Sequence, residues 1–261
     1  MYYKNDIGSI YYEVHGPENA PVIVFSHGVT MDHQTFQEQV IALKDKYRVI
    51  VWDMPYHGKS SEINENLQFS TTAADFIIEL LDALDISNAI LAGLSLGSFV
   101  TQQAAYKYPE RVVATIHLSG GSLYPKYSRW FKVLNPFFSL PISILPSRSL
   151  AKSFAKHKAI TPHTIAYLEE GVHKTGKKSL IHLIKEMIND MVIGLPEPLK
   201  QPMLIIYGDH ELGAIKKMNE KWHNNSLNSQ ISVIENAHHI LNQDNPEECN
   251  KVLLDFLKKL L

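Results

Sequence analysis

Between residues 89 and 107 the chain reads Ala89-Ile90-Leu91-Ala92, then Gly93-Leu94-Ser95-Leu96-Gly97, then a helix-compatible stretch from Ser98 to about Lys107. The first four residues have the character of a buried strand. The G-x-S-x-G that follows is therefore a strand-to-helix turn, sharp enough to project the Ser95 hydroxyl above the edge of a sheet. The two glycines remove Cβ atoms that would collide where helix and strand approach. The unpaired N–H groups at the start of the next helix suit developing negative charge. Small residues between a strand and a helix are often no more than a turn. The motif gains meaning only if the chain also supplies a base, an orienting acid and further donors.

The rest of the chain alternates strands and helices. Residues 9–14 are rich in β-branched and aromatic types and read as a strand. A continuous apolar run at 22–25 reads as a strand covered on both faces, 48–52 as the next buried strand, and 112–118, 203–207 and 230–234 as further strands. Helical spacing marks residues 34–45, a segment capped by Thr71 or Thr72 that carries Phe76, Ile77, Leu80, Leu81 and Leu84, and the chain end from about Pro246. The expected architecture is α/β: a doubly wound, mostly parallel sheet with helices on both faces, whose ligands bind beyond the strand C-termini. Residues 122–195 break the rhythm with Trp130-Phe131, Phe137-Phe138, the prolines 125, 136, 141 and 146, and helical stretches near 162–174 and 178–191. A connection of that length exceeds an ordinary crossover. The chain thus divides into a first core part (1–121), a helical lid insertion (122–195) and a second core part (196–261). The four aromatics either line an acyl pocket or form the lid's own core.

Several classes of function find no support. The formal net charge of −2 suggests neither a nucleic-acid surface nor a polybasic membrane anchor. Residues 1–6 lack the apolar run of a signal peptide, and no segment has the roughly 18 uninterrupted apolar residues of a membrane span. Cys249 is the only cysteine, which excludes an intrachain disulfide, suits a reducing compartment and makes a cytoplasmic location the expectation. The 13 histidines form no H-E-x-x-H or clustered Cys/His spacing, and neither a P-loop nor a G-x-G-x-x-G follows a strand. No metal or cofactor is expected. The expected partner is a small acyl substrate, and oligomeric state is not readable.

The base for Ser95 has two candidates, His238 and His239, in Asn236-Ala237-His238-His239 after the last strand. The acid has two candidates, Asp209 and Glu211, in Tyr207-Gly208-Asp209-His210-Glu211. The strand after Ser95 ends in Ser119-Gly120-Gly121 and offers no carboxylate. His33 either touches substrate or is a solvated loop residue. The order Ser, acid, His now resembles that of the α/β-hydrolase superfamily over nearly the whole chain. His27-Gly28 is similar to the family's oxyanion-loop dipeptide. Asp53 to Ser60 is similar to its D-x-x-G-x-G-x-S turn, with Tyr56 at the first glycine. Gly208 to Glu211 matches its G-x-x-D loop with Glu at the acid position. His239 matches its catalytic histidine, seven residues before Pro246, with His238 in place of a glycine.

The resemblance implies Ser95 as nucleophile, His239 as base, Glu211 as orienting acid, and the backbone N–H groups of Val29 and Leu96 as oxyanion donors. It implies a serine hydrolase of the carboxylesterase or lipase kind, cleaving a carboxylic ester or related acyl bond through an acyl-enzyme. The alternatives are a carbon–carbon bond hydrolase or acyltransferase with the same triad, or a non-catalytic ligand-binding relative. A serine at this turn disfavours the dehalogenase and epoxide-hydrolase branches, which use aspartate there.

Overall fold

A computed structural model describes residues 1–260. Leu261 and the side chains of Leu134, Asn135, Phe137 and Phe138, the last two among the four aromatics named above, lie outside the described residues. Eight strands form one sheet in the order β1-β2-β4-β3-β5-β6-β7-β8. Their ranges are β1 (Tyr2–Lys4), β2 (Ser9–His15), β3 (Val22–Ser26), β4 (Arg48–Trp52), β5 (Ala89–Leu94), β6 (Val112–Leu118), β7 (Met203–Gly208) and β8 (Ser229–Ile234). β2 pairs antiparallel with β1 and β4, and every other pairing is parallel. The doubly wound α/β expectation holds, with β1 an addition that the sequence pattern did not signal.

Alternate side chains of the central strands enter opposite layers, as the twofold strand period requires. Val24, Ile50 and Leu91 pack with Phe69, Phe76 and Leu80 of α2 (Phe69–Ala83) and Val100 and Ala104 of α3 (Leu96–Lys107). Ile23, Phe25, Val49 and Ile90 pack on the other face, with Leu43 at the end of α1 (Gln37–Leu43) and Leu253, Phe256 and Leu257 of the C-terminal helix (Pro246–Leu260). Both faces are covered, so the strands read as apolar runs rather than alternations. Cys249 is fully buried in this second layer.

From β3 the chain passes to β4 on one side, and β5 then lies on the other side of β3. The loops after β3 and β5 therefore diverge from neighbouring strand ends, with Ser26 in register with Gly93. This is the topological switch at which open α/β sheets form a crevice.

Between β6 and β7 the described residues contain helices only. These are a 3₁₀ turn (Arg129–Leu134), α4 (Asn135–Ile144), α5 (Ser147–Lys156) and α6 (Pro162–Ile193). The two helical stretches expected near 162–174 and 178–191 are halves of α6, joined at Gly176 with φ +73° and ψ 161°. A glycine tolerates this non-helical conformation, which lets one continuous segment change direction.

One capping expectation fails. α2 begins at Phe69 after Gln68, and Thr71 and Thr72 lie within its first turn. The acceptors at this helix start come from α6. Glu186 Oε2 accepts the Phe69 N–H (3.4 Å), and Asp190 accepts from Gln68 Nε2 (3.0 Å) and from the Ser70 hydroxyl. A distant carboxylate thus replaces the local cap, a substitution that local sequence cannot reveal.

Asp190 is fully buried, and burial raises its carboxyl to about 6 despite the bonds from Ser70 and Gln68. Its pKa in the fold lies above the unfolded value, so ionisation opposes folding, and stability rises as pH falls through about 6. Asp190→Asn is expected to relieve up to about 3 kcal/mol at neutral pH. The stability advantage of the variant over the unmodified chain should shrink as pH falls from about 6 towards 4. Melting curves with the same pH slope in both proteins would contradict the assignment.

Candidate active site

β5 ends at Leu94 and α3 starts at Leu96, leaving Ser95 as the whole connection. Its backbone sits at φ +53° and ψ −112°, a region that non-glycine residues rarely occupy. The strain is held by packing on both sides. A Cβ on Gly93 would lie 2.1 Å from the Gly97 carbonyl oxygen, and one on Gly97 would lie 2.1 Å from the Ser26 carbonyl oxygen. The Ser95 N–H donates to the Leu118 carbonyl (2.9 Å), tying the turn to the end of β6.

The loops after β7 and β8 bring two further groups to Ser95. His239 Nε2 lies 3.0 Å from Ser95 Oγ, and His239 Nδ1 lies 2.6 Å from Glu211 Oε2. A carboxylate cannot donate when ionised, so Nδ1 carries the ring proton and Nε2 accepts from the hydroxyl. The second Glu211 oxygen accepts the Leu212 N–H (2.9 Å). Burial by itself would raise the Glu211 carboxyl, but the His239 ring and its hydrogen bond hold it down at about 2. Burial lowers the His239 imidazole below its ordinary value, and the nearby Lys158 ammonium lowers it further against the pull of Glu211.

The structure separates the paired candidates. Asp209 Oδ1 accepts the Ala237 N–H (3.0 Å) and bonds His210 Nδ1 (2.7 Å), so it ties the two loops together instead of orienting His239. His238 Nδ1 accepts the N–H of His239 (2.7 Å), and its own N–H donates to Asp244 (3.0 Å). Ser95, Glu211 and His239 are the set that converges.

Leu96 opens α3, so its N–H belongs to the group that the helix itself leaves unbonded. Val29 follows Gly28, whose added Cβ would stand 3.3 Å from the Ser95 Cβ. The Gly28 carbonyl accepts from His27 Nδ1 (2.8 Å), while His27 Nε2 accepts the Met54 N–H (3.0 Å). Fixing that carbonyl on His27 turns the N–H of the same trans peptide, which is that of Val29, to the opposite side. His27 and His57 stack edge to face at 4.8 Å. Burial keeps both rings neutral, driving His57 down to about 3.

His33 differs from both readings offered for it. It is neither solvated nor aimed at a substrate: it is buried, with Nδ1 2.7 Å from Asp53 and Nε2 3.3 Å from Glu13. Asp53 also accepts the Lys59 N–H (2.8 Å), and a Cβ on Gly58 would fall 2.2 Å from its carboxylate. Tyr56 takes φ +70° at the family's usual glycine position, so the turn keeps its left-handed backbone. Among the described residues no group of three His, Cys, Asp or Glu side chains is arranged for a metal ion. No described helix is long and apolar enough to cross a membrane.

Lys158 is a site neighbour that sequence reasoning missed. It lies on the turn between α5 and α6, and its carbonyl accepts the Ile240 N–H (3.1 Å), next to His239. Asp244 holds the same turn by accepting from the Ile160 and Thr161 N–H groups, each at 3.1 Å. A lysine after a helix end has no distinguishing pattern, so no local signal marks it.

The fold and this arrangement define an enzyme-like cleft of the nucleophile-elbow type. The family model described as alpha/beta hydrolase fold matches residues 21–246, and the chain belongs to that family. It is 24% identical over 266 residues to the uncharacterized hydrolase YugF of Bacillus subtilis, covering 96% of this chain and 94% of that one. A shorter match, 45% identical over 85 residues, joins it to 3-oxoadipate enol-lactonase 1 of Acinetobacter baylyi. That match spans 33% of this chain and 31% of the relative, about a third of each. Among solved structures, the enol-lactonase of Burkholderia xenovorans superposes with a TM-score of 0.83 at 22% identity, over 99% of this chain and 100% of that one. At that identity the likeness establishes the fold.

Gly97→Ala tests the packing that supports the turn. The added methyl must displace the Ser26 or His27 carbonyl, which lie 2.1 and 2.6 Å from its position. A loss of about 1–3 kcal/mol in urea unfolding is expected. An unchanged midpoint would show that the close approach does not support the turn.

Proposed function

We propose that the chain is a serine hydrolase that cleaves a carboxylic ester or related acyl bond through an acyl-enzyme on Ser95. The observation that carries the reading is the continuous relay from the Ser95 hydroxyl through His239 to Glu211, with contacts of 3.0 and 2.6 Å. In this mechanism His239 Nε2 takes the Ser95 proton as Oγ attacks the acyl carbon. Glu211 keeps the ring in the required tautomer and stabilises its positive charge. The Val29 and Leu96 N–H groups stabilise the oxyanion. His239 then protonates the leaving oxygen. Water, deprotonated by the same ring, attacks the acyl-enzyme and releases the acid. The helices of 122–195 form a lid over this edge of the sheet. An enol-lactone is a cyclic ester, so the names of two relatives agree with this bond class.

A fluorophosphonate probe is expected to label Ser95 in the folded protein, and short-chain nitrophenyl esters should be hydrolysed. Glu211→Gln should keep the fold and reduce turnover by about 10⁴-fold, because the amide favours the wrong tautomer. Folded protein that resists the probe would sink the proposal.

The pH profile offers a separate check. His239 must be neutral to act as base, and burial and Lys158 hold its pKa below the ordinary 6.5. The acid limb of kcat/KM should therefore fall below that value. Removing the ammonium in Lys158→Met withdraws a positive charge that opposes protonation, so the limb should move to higher pH. A limb that stays in place or moves lower would remove Lys158 from the electrostatics of the base.

A further inference from the structure

The near-neutral total charge conceals a strong separation. Between Glu110 and Glu169 the sequence contains no acidic residue. The same stretch exposes Lys126, Arg129, Lys132, Arg148, Lys152 and Lys156, and none of these cations has an ion-pair partner among the described residues. Elsewhere some exposed cations find carboxylates, as in Lys107–Asp75 (2.6 Å) and Lys178–Glu65 (2.8 Å).

The cations flank an apolar centre. From Val133 to Ser147 there is no charged residue. Trp130 is 80% exposed, Ile144 70%, Leu140 58% and Val133 55%. Leu140 and Ile144 stand one helical turn apart on α4 and share a face. Single exposed apolar residues are ordinary, but several gathered within fifteen positions and rimmed by one sign of charge mark an interaction surface.

We propose that this face docks on an anionic lipid bilayer. Trp130, Val133, Leu140 and Ile144 enter the boundary between headgroups and acyl chains, and the six cations meet lipid phosphates. The charge pattern selects this partner. Two copies of the chain meeting through the patch would bring its six cations together with no carboxylate from the same stretch to offset them. A nucleic acid would satisfy the cations and leave the aliphatic centre in water. A bilayer with anionic headgroups complements both parts.

The docked layer is fastened to the loop beside the candidate site. Tyr167 of α6 donates its hydroxyl hydrogen to Asp32 (2.9 Å), and a Cβ on Gly171 would lie 1.9 Å from the Thr30 carbonyl oxygen. Docking would therefore hold the strand C-terminal edge beside the lipid surface.

The intrinsic fluorescence suits a test on the full chain, because Trp52 and Trp222 are buried and Trp130 is the exposed indole. Vesicles of phosphatidylcholine mixed with phosphatidylglycerol should co-sediment with the protein and shift tryptophan emission to the blue. The effect should weaken as salt rises and vanish with phosphatidylcholine alone. A combined Arg129→Glu, Lys132→Glu, Arg148→Glu variant should partition at least about tenfold less. Leu140→Ser with Ile144→Ser should lose the blue shift. Both variants should still hydrolyse a water-soluble nitrophenyl ester, which reports that they fold. Three results would overturn the proposal: no co-sedimentation of the unmodified chain with the anionic vesicles, charge reversal that leaves partitioning unchanged, or a self-associated state in which Trp130 is already shielded without lipid.

Discussion

The contact between Gly97 and the Ser26 carbonyl sets the geometry on which the rest of the site depends. β3 and β5 are neighbours, and the chain leaves their ends in different directions because β4 lies on the far side of β3. Only a residue without a side chain lets α3 start so close to the β3 end, where an added Cβ would stand 2.1 Å from oxygen. That approach presses the turn into a positive φ at Ser95 and lifts the hydroxyl out of the sheet. It also puts Gly28 against Ser95 and brings the Val29 peptide beside the start of α3. The strained backbone persists because Ser26, Leu118 and Gly93 constrain it from several directions.

The sheet was largely legible because its central strands are buried on both faces, and an uninterrupted apolar run has few other readings. The converging residues were legible because motif spacing marked them at strand ends. Where the reading left pairs open, the missing information was three-dimensional. Asp209 and Glu211 are two residues apart on one loop, and only the path of that loop shows that the nearer carboxylate is used on Ala237 while the longer side chain meets His239. The misplaced cap at Thr71 and Thr72 has the same origin, since the acceptors for α2 come from Glu186 and Asp190, more than a hundred positions away. Lys158 was invisible because its position beside His239 depends on a hydrogen bond between a helix-connecting turn and Ile240. Neither reading offered for His33 foresaw its burial, because its partners are distant in sequence: Glu13 on β2 and Asp53 just after β4.

Composition misleads in a related way. A net charge of −2 is a sum, and the sum carries no information about the acid-free interval between Glu110 and Glu169. Carboxylates are confined to the rest of the chain, where some cations such as Lys107, Lys174 and Lys178 pair with them, while those near α4 and α5 have no acid within their own stretch. Charge segregation of this kind is an electrostatic property of the surface and places no demand on the fold.

The two halves of the proposed machinery are anchored differently. The loops bearing Glu211 and His239 hold each other. Asp209 accepts the Ala237 N–H, His210 donates its N–H to the Ala237 carbonyl (2.9 Å), and a Cβ on Gly208 would lie 2.1 Å from that same oxygen. Their alignment belongs to the sheet and its C-terminal connections. The loop bearing Val29 is gripped from the other side, by Tyr167 on Asp32 and by Gly171 against Thr30, whose own φ is +68°. A displacement of α6 would thus reach the proposed Val29 donor through two direct contacts. It would reach the acid–base pair through the turn at Lys158 and Asp244 and through the apolar cluster that Leu168 shares with Ala237 and Ile240. The relay and the anion-stabilising peptide are separable elements, and the helical layer holds each through different contacts: Tyr167 and Gly171 on the Val29 side, Lys158, Ile160 and Thr161 on the His239 side.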